Sequence, residues 1–73
     1  MKTYVRFTVE PRPADRKTDV WIVRTAKVEL GWISWYGPWR QFVFYPLPET
    51  VYSAGCLNEI ERFIERQVEA RRG

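Results

Sequence analysis

The sequence predicts a small α+β protein: an antiparallel sheet of about four strands, followed by one C-terminal amphipathic helix packed on one sheet face. Three observations predict it. Residues 3–45 are rich in alternating, β-branched and aromatic runs, separated by proline, glycine and charged punctuation. The last twenty or so residues repeat their apolar positions with the period of a helix instead. The length, 73 residues, has room for one domain and a thin core, since chains this short bury only about 60% of their unfolded surface.

The first strand spans about residues 3–10. Val5, Phe7 and Val9 point one way, Tyr4, Arg6 and Thr8 the other, the pattern of a half-buried strand. Pro11 and Pro13 end it, because proline cannot donate to a ladder. Residues 11–18 then read as a solvated loop, or as a phosphate-touching arm built from Arg12, Arg16 and Lys17. Strands follow over about 19–25 and 28–36, with a tight turn at Ala26-Lys27 between them. Gly37-Pro38 marks the next turn, and a fourth strand runs over about 39–45 until Pro46 and Pro48 stop it.

The helix runs from about 54 to 71. Leu57, Ile60, Phe63, Ile64 and Val68 form one stripe at i, i+3, i+6, i+7 and i+11. Ser53 is the expected N-cap, with Tyr52 and Leu57 at the spacing of a hydrophobic staple. Arg71 and Arg72 suit the negative pole of the helix dipole.

Treating both turns as two-residue hairpins sorts the side chains by face. Ile33 then opposes Phe42, Trp21 opposes Trp32, and Arg24 opposes Glu29 as an opposite-charge pair. One face carries Val20, Ile22, Ile33, Trp35, Phe42 and Phe44 around Gly31, and the helix is expected there. The other carries Trp21, Val23, Leu30, Trp32, Ser34, Tyr36, Trp39, Gln41, Val43 and Tyr45. A slip of one residue exchanges the faces of a strand. Three readings of the second face stay open: ordinary core, a homodimer or protein-partner surface, and a stacking platform for unpaired bases.

Several chemistries are not expected. There is no histidine, so histidine-dependent catalysis is excluded. The single cysteine, Cys56, forms no intrachain disulfide, suits a reducing compartment and has no evident base partner. Helix carboxylates alternate with Arg62 and Arg66 at i+3 and i+4 spacings, the mark of a solvated face. The four glycines stand too far apart for a phosphate loop. No enzyme, cofactor, metal site or membrane span is expected, and the alternating N-terminal residues lack an apolar signal core, so the expected location is cytoplasmic.

The net charge is +3, and it is placed unevenly: residues 1–53 hold eight basic and five acidic residues, residues 54–73 four of each. That surplus permits a polyanion partner without demanding one.

Residues 30–63 carry a specific pattern. Gly31, Ile33, Trp35-Tyr36, Trp39-Arg40, Phe42, Phe44 and Pro46 spell G-x-I-x-W-Y-x-x-W-R-x-F-x-F-x-P, followed by Thr50-Val51-Tyr52-Ser53 and by Cys56-Leu57, Glu59-Ile60 and Phe63. This resembles a group of small uncharacterised proteins of bacteriophages and mobile elements that share such a segment before a terminal helix. The resemblance implies a context and no functional residues. In element order alone, the chain is also similar to the three-strand-plus-helix DNA-binding domains of some transposon integrases and plant transcription factors.

The expected function is therefore a non-enzymatic binding module of phage or mobile-element type. Its ligand is DNA or RNA, held by Trp32, Tyr36, Trp39 and Tyr45 with Arg24, Lys27, Arg40 and the loop cations Arg12, Arg16 and Lys17. The alternative is a protein–protein module, either a phage-type inhibitor of a host protein or a homodimer through the same sheet face.

Overall fold

The computed structural model describes residues 4–72. Strands β1 (Arg6–Val9), β2 (Trp21–Arg24), β3 (Glu29–Tyr36) and β4 (Gln41–Pro46) precede one helix, α1 (Ala54–Arg72). The strands form one antiparallel meander in chain order. The expected α+β arrangement is present, and α1 begins at the predicted residue. β1 and β2 are shorter than predicted, because only four residues of each pair across the shared ladder. The predicted start of β1 at Thr3 lies outside the described residues.

Local chemistry explains each junction. In the β2–β3 turn the Thr25 hydroxyl accepts from the Lys27 and Val28 amides at 3.2 and 3.1 Å, closing the predicted turn at Ala26-Lys27. The β3–β4 turn takes four residues where the sequence suggests two. Gly37–Trp39 make one 3-10 turn, and Arg40 follows in the left-handed region at φ 53. Trp39 and Arg40 are therefore turn residues, and β4 starts at Gln41. The longer turn moves the β3–β4 register by two, so Ile33 pairs with Phe44 and Trp35 with Phe42. An even shift preserves faces, which is why the predicted facing of both strands survives.

The β2–β3 ladder departs by one residue. Arg24 pairs with Glu29 as expected, but the next pair is Val23 with Gly31, leaving Leu30 as the extra residue of a bulge. Every later β2 side chain is thereby exchanged between faces. Trp21 and Val23 turn toward α1 rather than away from it, Ile22 turns away, and Leu30 is buried. Arg24 and Glu29 are neighbours in the ladder without an ion pair; among the described residues the one ion pair is Arg12–Asp19, at 3.6 Å.

The core lies between α1 and one sheet face. Val5, Val23, Leu30, Ile33, Phe42 and Ile60 are buried, with Phe7, Trp21, Trp35, Phe44, Cys56, Phe63, Ile64 and Val68 packed around them. Ile60 is the buried helix residue, and beside it the half-buried Phe63 stacks on Phe7 at 4.1 Å and meets Trp21 edge-on at 5.3 Å. Cys56 packs against this core, while Leu57 is 52% exposed and belongs to the outer side of the helix. Ser53 caps α1 as expected, its hydroxyl accepting from the Cys56 amide. Tyr52 pairs with the sheet: its ring meets Phe44 edge-on and its hydroxyl donates to the Leu30 carbonyl at 2.9 Å.

One helix carboxylate fastens the sheet edge. Glu59 accepts from the Tyr4 amide with both oxygens (3.0 and 3.2 Å) and from the Val5 amide at 3.4 Å. Glu59→Ala leaves those donors unpaired. It should lower stability by about 1 kcal/mol and speed amide hydrogen exchange at Tyr4 and Val5, with the central β3 amides far less affected.

Candidate nucleic-acid interface

With α1 on one face, no element among the described residues covers the opposite sheet face. Its composition follows from the registers. The middle row runs Thr8, Ile22, Trp32, Tyr45; the next pairs Ser34 with Val43; the row beyond pairs Tyr36 with Gln41. At the β2–β3 turn end the row is Arg6, Arg24 and Glu29.

The aromatic side chains on this face are organised as two pairs. Trp32 and Tyr45 stack across the β3–β4 ladder, 5.3 Å apart with planes 16° from parallel. Tyr36 and Trp39 meet edge to face at 5.1 Å, at the other end of β3. Between the pairs lies a concavity of about 300 Å³, lined by Tyr36, Trp39, Val43, Phe44 and Tyr45. Trp39 is 65% exposed and Trp32 37%. All four aromatic candidates from the sequence thus share one face, and three of them line one depression. A depression lined by aromatic rings has the shape and chemistry for stacking a flat, aromatic group.

The basic candidates are divided. Arg24 is exposed at the β2–β3 end of the aromatic face, and Lys27 is exposed in the adjoining turn. Arg6, which the sequence reading did not select, lies directly across from Arg24. Two cations opposed in this way repel each other, and a nearby anion relieves that cost. The other cations gather elsewhere. Arg12 and Arg16 turn back onto their own loop, Arg12 donating to the Lys17 carbonyl at 2.9 Å and Arg16 to the Thr18 carbonyl at 3.0 Å. Arg12 and Lys17 line a cavity of about 190 Å³ with Asp19, Trp21, Gln67 and Arg71. Arg40 lines a neighbouring one of about 240 Å³ with Trp35, Val68 and Arg71. The aromatic face and most of the selected cations therefore occupy different places. The sequence suggests for Arg71 only a role at the helix dipole, yet its guanidinium sits 4.2 Å from the centre of the Trp35 ring. No spacing in the sequence signals that contact, which joins the end of α1 to β3.

Among the described residues no cluster of three or more His, Cys, Asp or Glu is placed to hold a metal, and no helix is long and apolar enough to cross a membrane.

Comparison with known proteins adds a context. The chain is 29% identical, over 70 residues, to a protein of Acholeplasma phage L2 described as "Uncharacterized 9.3 kDa protein". The chain is similar to a small phage protein. The alignment covers 94% of this chain and 90% of the phage protein, so the likeness extends over nearly the whole of both. That supports a small phage-type protein and carries no activity with it. No family model and no solved structure matches the chain.

Proposed function

We propose that this phage-type protein is a non-enzymatic binding module that holds single-stranded nucleic acid on its open sheet face. The supporting observation is the aromatic depression between Tyr36–Trp39 and Trp32–Tyr45, on a face that no element among the described residues covers. Bases free of a duplex expose flat π-faces, which such rings stack against with little regard to sequence. Arg6, Arg24 and Lys27 at one end, and the chain's +3 charge, supply phosphate attraction.

Tryptophan fluorescence titrated with single- and double-stranded oligonucleotides at two salt concentrations tests the reading without a label. Quenching by the single strand that weakens as salt rises is the expected result. Trp39→Ala should then weaken binding by about 1–3 kcal/mol, or roughly 5- to 150-fold, while leaving the melting temperature close to that of the parent. Silence with both strand types at low salt removes nucleic acid as the ligand.

One observation favours a protein partner instead. The open face carries both signs of charge, Arg6 and Arg24 against Glu29, around Ile22, Val43 and the aromatic pairs. Such a mixture also suits a protein–protein interface, with a host protein or a second copy of this chain. Light scattering separates the copies: a monomer at high micromolar concentration eliminates the homodimer.

A further inference from the structure

We propose that the groove beside the C-terminal end of α1 is a phosphate site, formed by Lys17, Arg40 and Arg71 with Arg12 at its edge. The proposal deepens the nucleic-acid reading and rests on it for the identity of the strand, but the phosphate chemistry stands on its own observations.

The topology brings three separate segments to one end of the molecule. In a four-stranded meander the β1–β2 and β3–β4 connections leave the sheet at the same end. The helix runs toward that end, since Glu59 meets the start of β1 and Arg71 meets Trp35 near the end of β3. Residues 11–18, the turn at 37–40 and the last turn of α1 therefore converge. Each contributes at least one cation, and the two cavities they line, about 190 and 240 Å³, share Arg71.

The charge in this groove is lopsided. Four cations line the two cavities against one carboxylate, Asp19. Asp19 is already shared with Arg12 at 3.6 Å, in a pair that is about half exposed. Among the described residues, Lys17, Arg40 and Arg71 have no acidic partner within 4 Å. A guanidinium over an indole ring keeps the N–H donors on its edge, and that edge matches two phosphate oxygens.

Arg40 links this groove to the aromatic face. It directly follows Trp39 in the β3–β4 turn, and it is held at φ 53, where glycine avoids a cost of about 1–2 kcal/mol. A strand with a base against Tyr36 and Trp39 has its next phosphates at this rim.

The test is a two-arm titration of the isotope-labelled full chain, followed by NMR. The first arm uses inorganic pyrophosphate. The expected result is a saturating set of shifts at the Lys17, Arg40 and Arg71 amides and the Trp35 indole N–H. Absence of shifts, or shifts as large at Arg6, Arg62 and Arg66, overturns the site. The second arm uses a short oligothymidylate with the parent chain and with Lys17→Ala/Arg40→Ala, both exposed positions. Each lost phosphate contact lowers the slope of log affinity against log salt by about one, so the double variant should lose about two. Tight binding with an unchanged slope overturns the groove and leaves the aromatic reading standing. Pyrophosphate shifts at the named residues without oligothymidylate binding keep the phosphate site, assign it to a small phosphate compound, and remove the nucleic-acid reading.

Discussion

Gly31→Ala is expected to remove a large share of the chain's stability. Gly31 stands where β3 bulges against β2 and pairs with Pro46 of β4, and it is buried. Its φ of +156 lies in a region that side chains avoid. A Cβ there would sit inside contact distance of the Tyr45 carbonyl oxygen, and 3.0 Å from both the Phe44 ring and the Pro46 Cα. Two of those three neighbours are backbone, so no rotamer change relieves the clash. The backbone must move, and with it the Leu30 carbonyl that accepts from both Tyr52 and the Leu47 amide. Overpacking and the dihedral penalty, each about 1–3 kcal/mol, together reach about 4 kcal/mol. A chain of this size has only about 4–11 kcal/mol in total. Far-UV and near-UV circular dichroism through a thermal melt reads the outcome: loss of the cooperative transition, or a fall in melting temperature of about 15–30 °C. Gly37→Ala is the matched control, since a Cβ at Gly37 meets nothing within 4 Å, and it should melt with the parent. If Gly31→Ala also melts with the parent, the bulge is not where it is described.

Phe63→Ala should cost about 3 kcal/mol, the lower end of the range for truncating a core aromatic, because its ring is half-buried. The ring stacks on Phe7 with planes 3° apart, meets Trp21 edge-on, and has the Arg66 guanidinium 5.9 Å from its centre. It thus joins α1 to both β1 and β2. Truncation leaves a cavity between elements that share few other large contacts, and the helix loses its hold on the sheet before β3–β4 pairing fails. Urea denaturation measures the loss. Leu57→Ala provides the contrast, because Leu57 is more than half exposed despite sharing the apolar spacing of Phe63. That substitution should stay within about 0.5 kcal/mol of the parent. Equal losses from both substitutions would mean that the helix sits rotated about its axis from the orientation described.

The difference between Phe63 and Leu57 shows where periodicity stops informing. The stripe of Leu57, Ile60, Phe63, Ile64 and Val68 locates the helix correctly, because the 3.6-residue period depends only on the backbone. Which edge of the stripe meets the sheet depends on the approach of α1, and the approach places Cys56 inward and Leu57 outward. The aromatic candidates behave similarly. Trp32, Tyr36 and Tyr45 were grouped by period two, and the β3–β4 pairing keeps that grouping because its longer turn adds an even number of residues. The basic candidates had no such rule. Arg12, Arg16, Lys17 and Arg40 lie on loops and turns, whose side-chain directions follow from tertiary contacts and from the left-handed backbone at Arg40.

Sequence by itself determined the α+β class, the order of four strands and a helix, the turn at Ala26-Lys27, the Ser53 cap and the facing of β3 against β4. Each rests on a local rule: alternation, helical period, turn chemistry or capping. Tertiary structure alone decided the bulge at Leu30, and through it which side of β2 meets the helix. A single extra residue has no signature in a pattern of period two, yet it reverses every side chain beyond it. The choice fell to packing: it buries Leu30 and Val23 and brings Trp21 against Phe63 and Phe42 beneath α1, while Ile22 joins the row of Trp32 and Tyr45 on the open face.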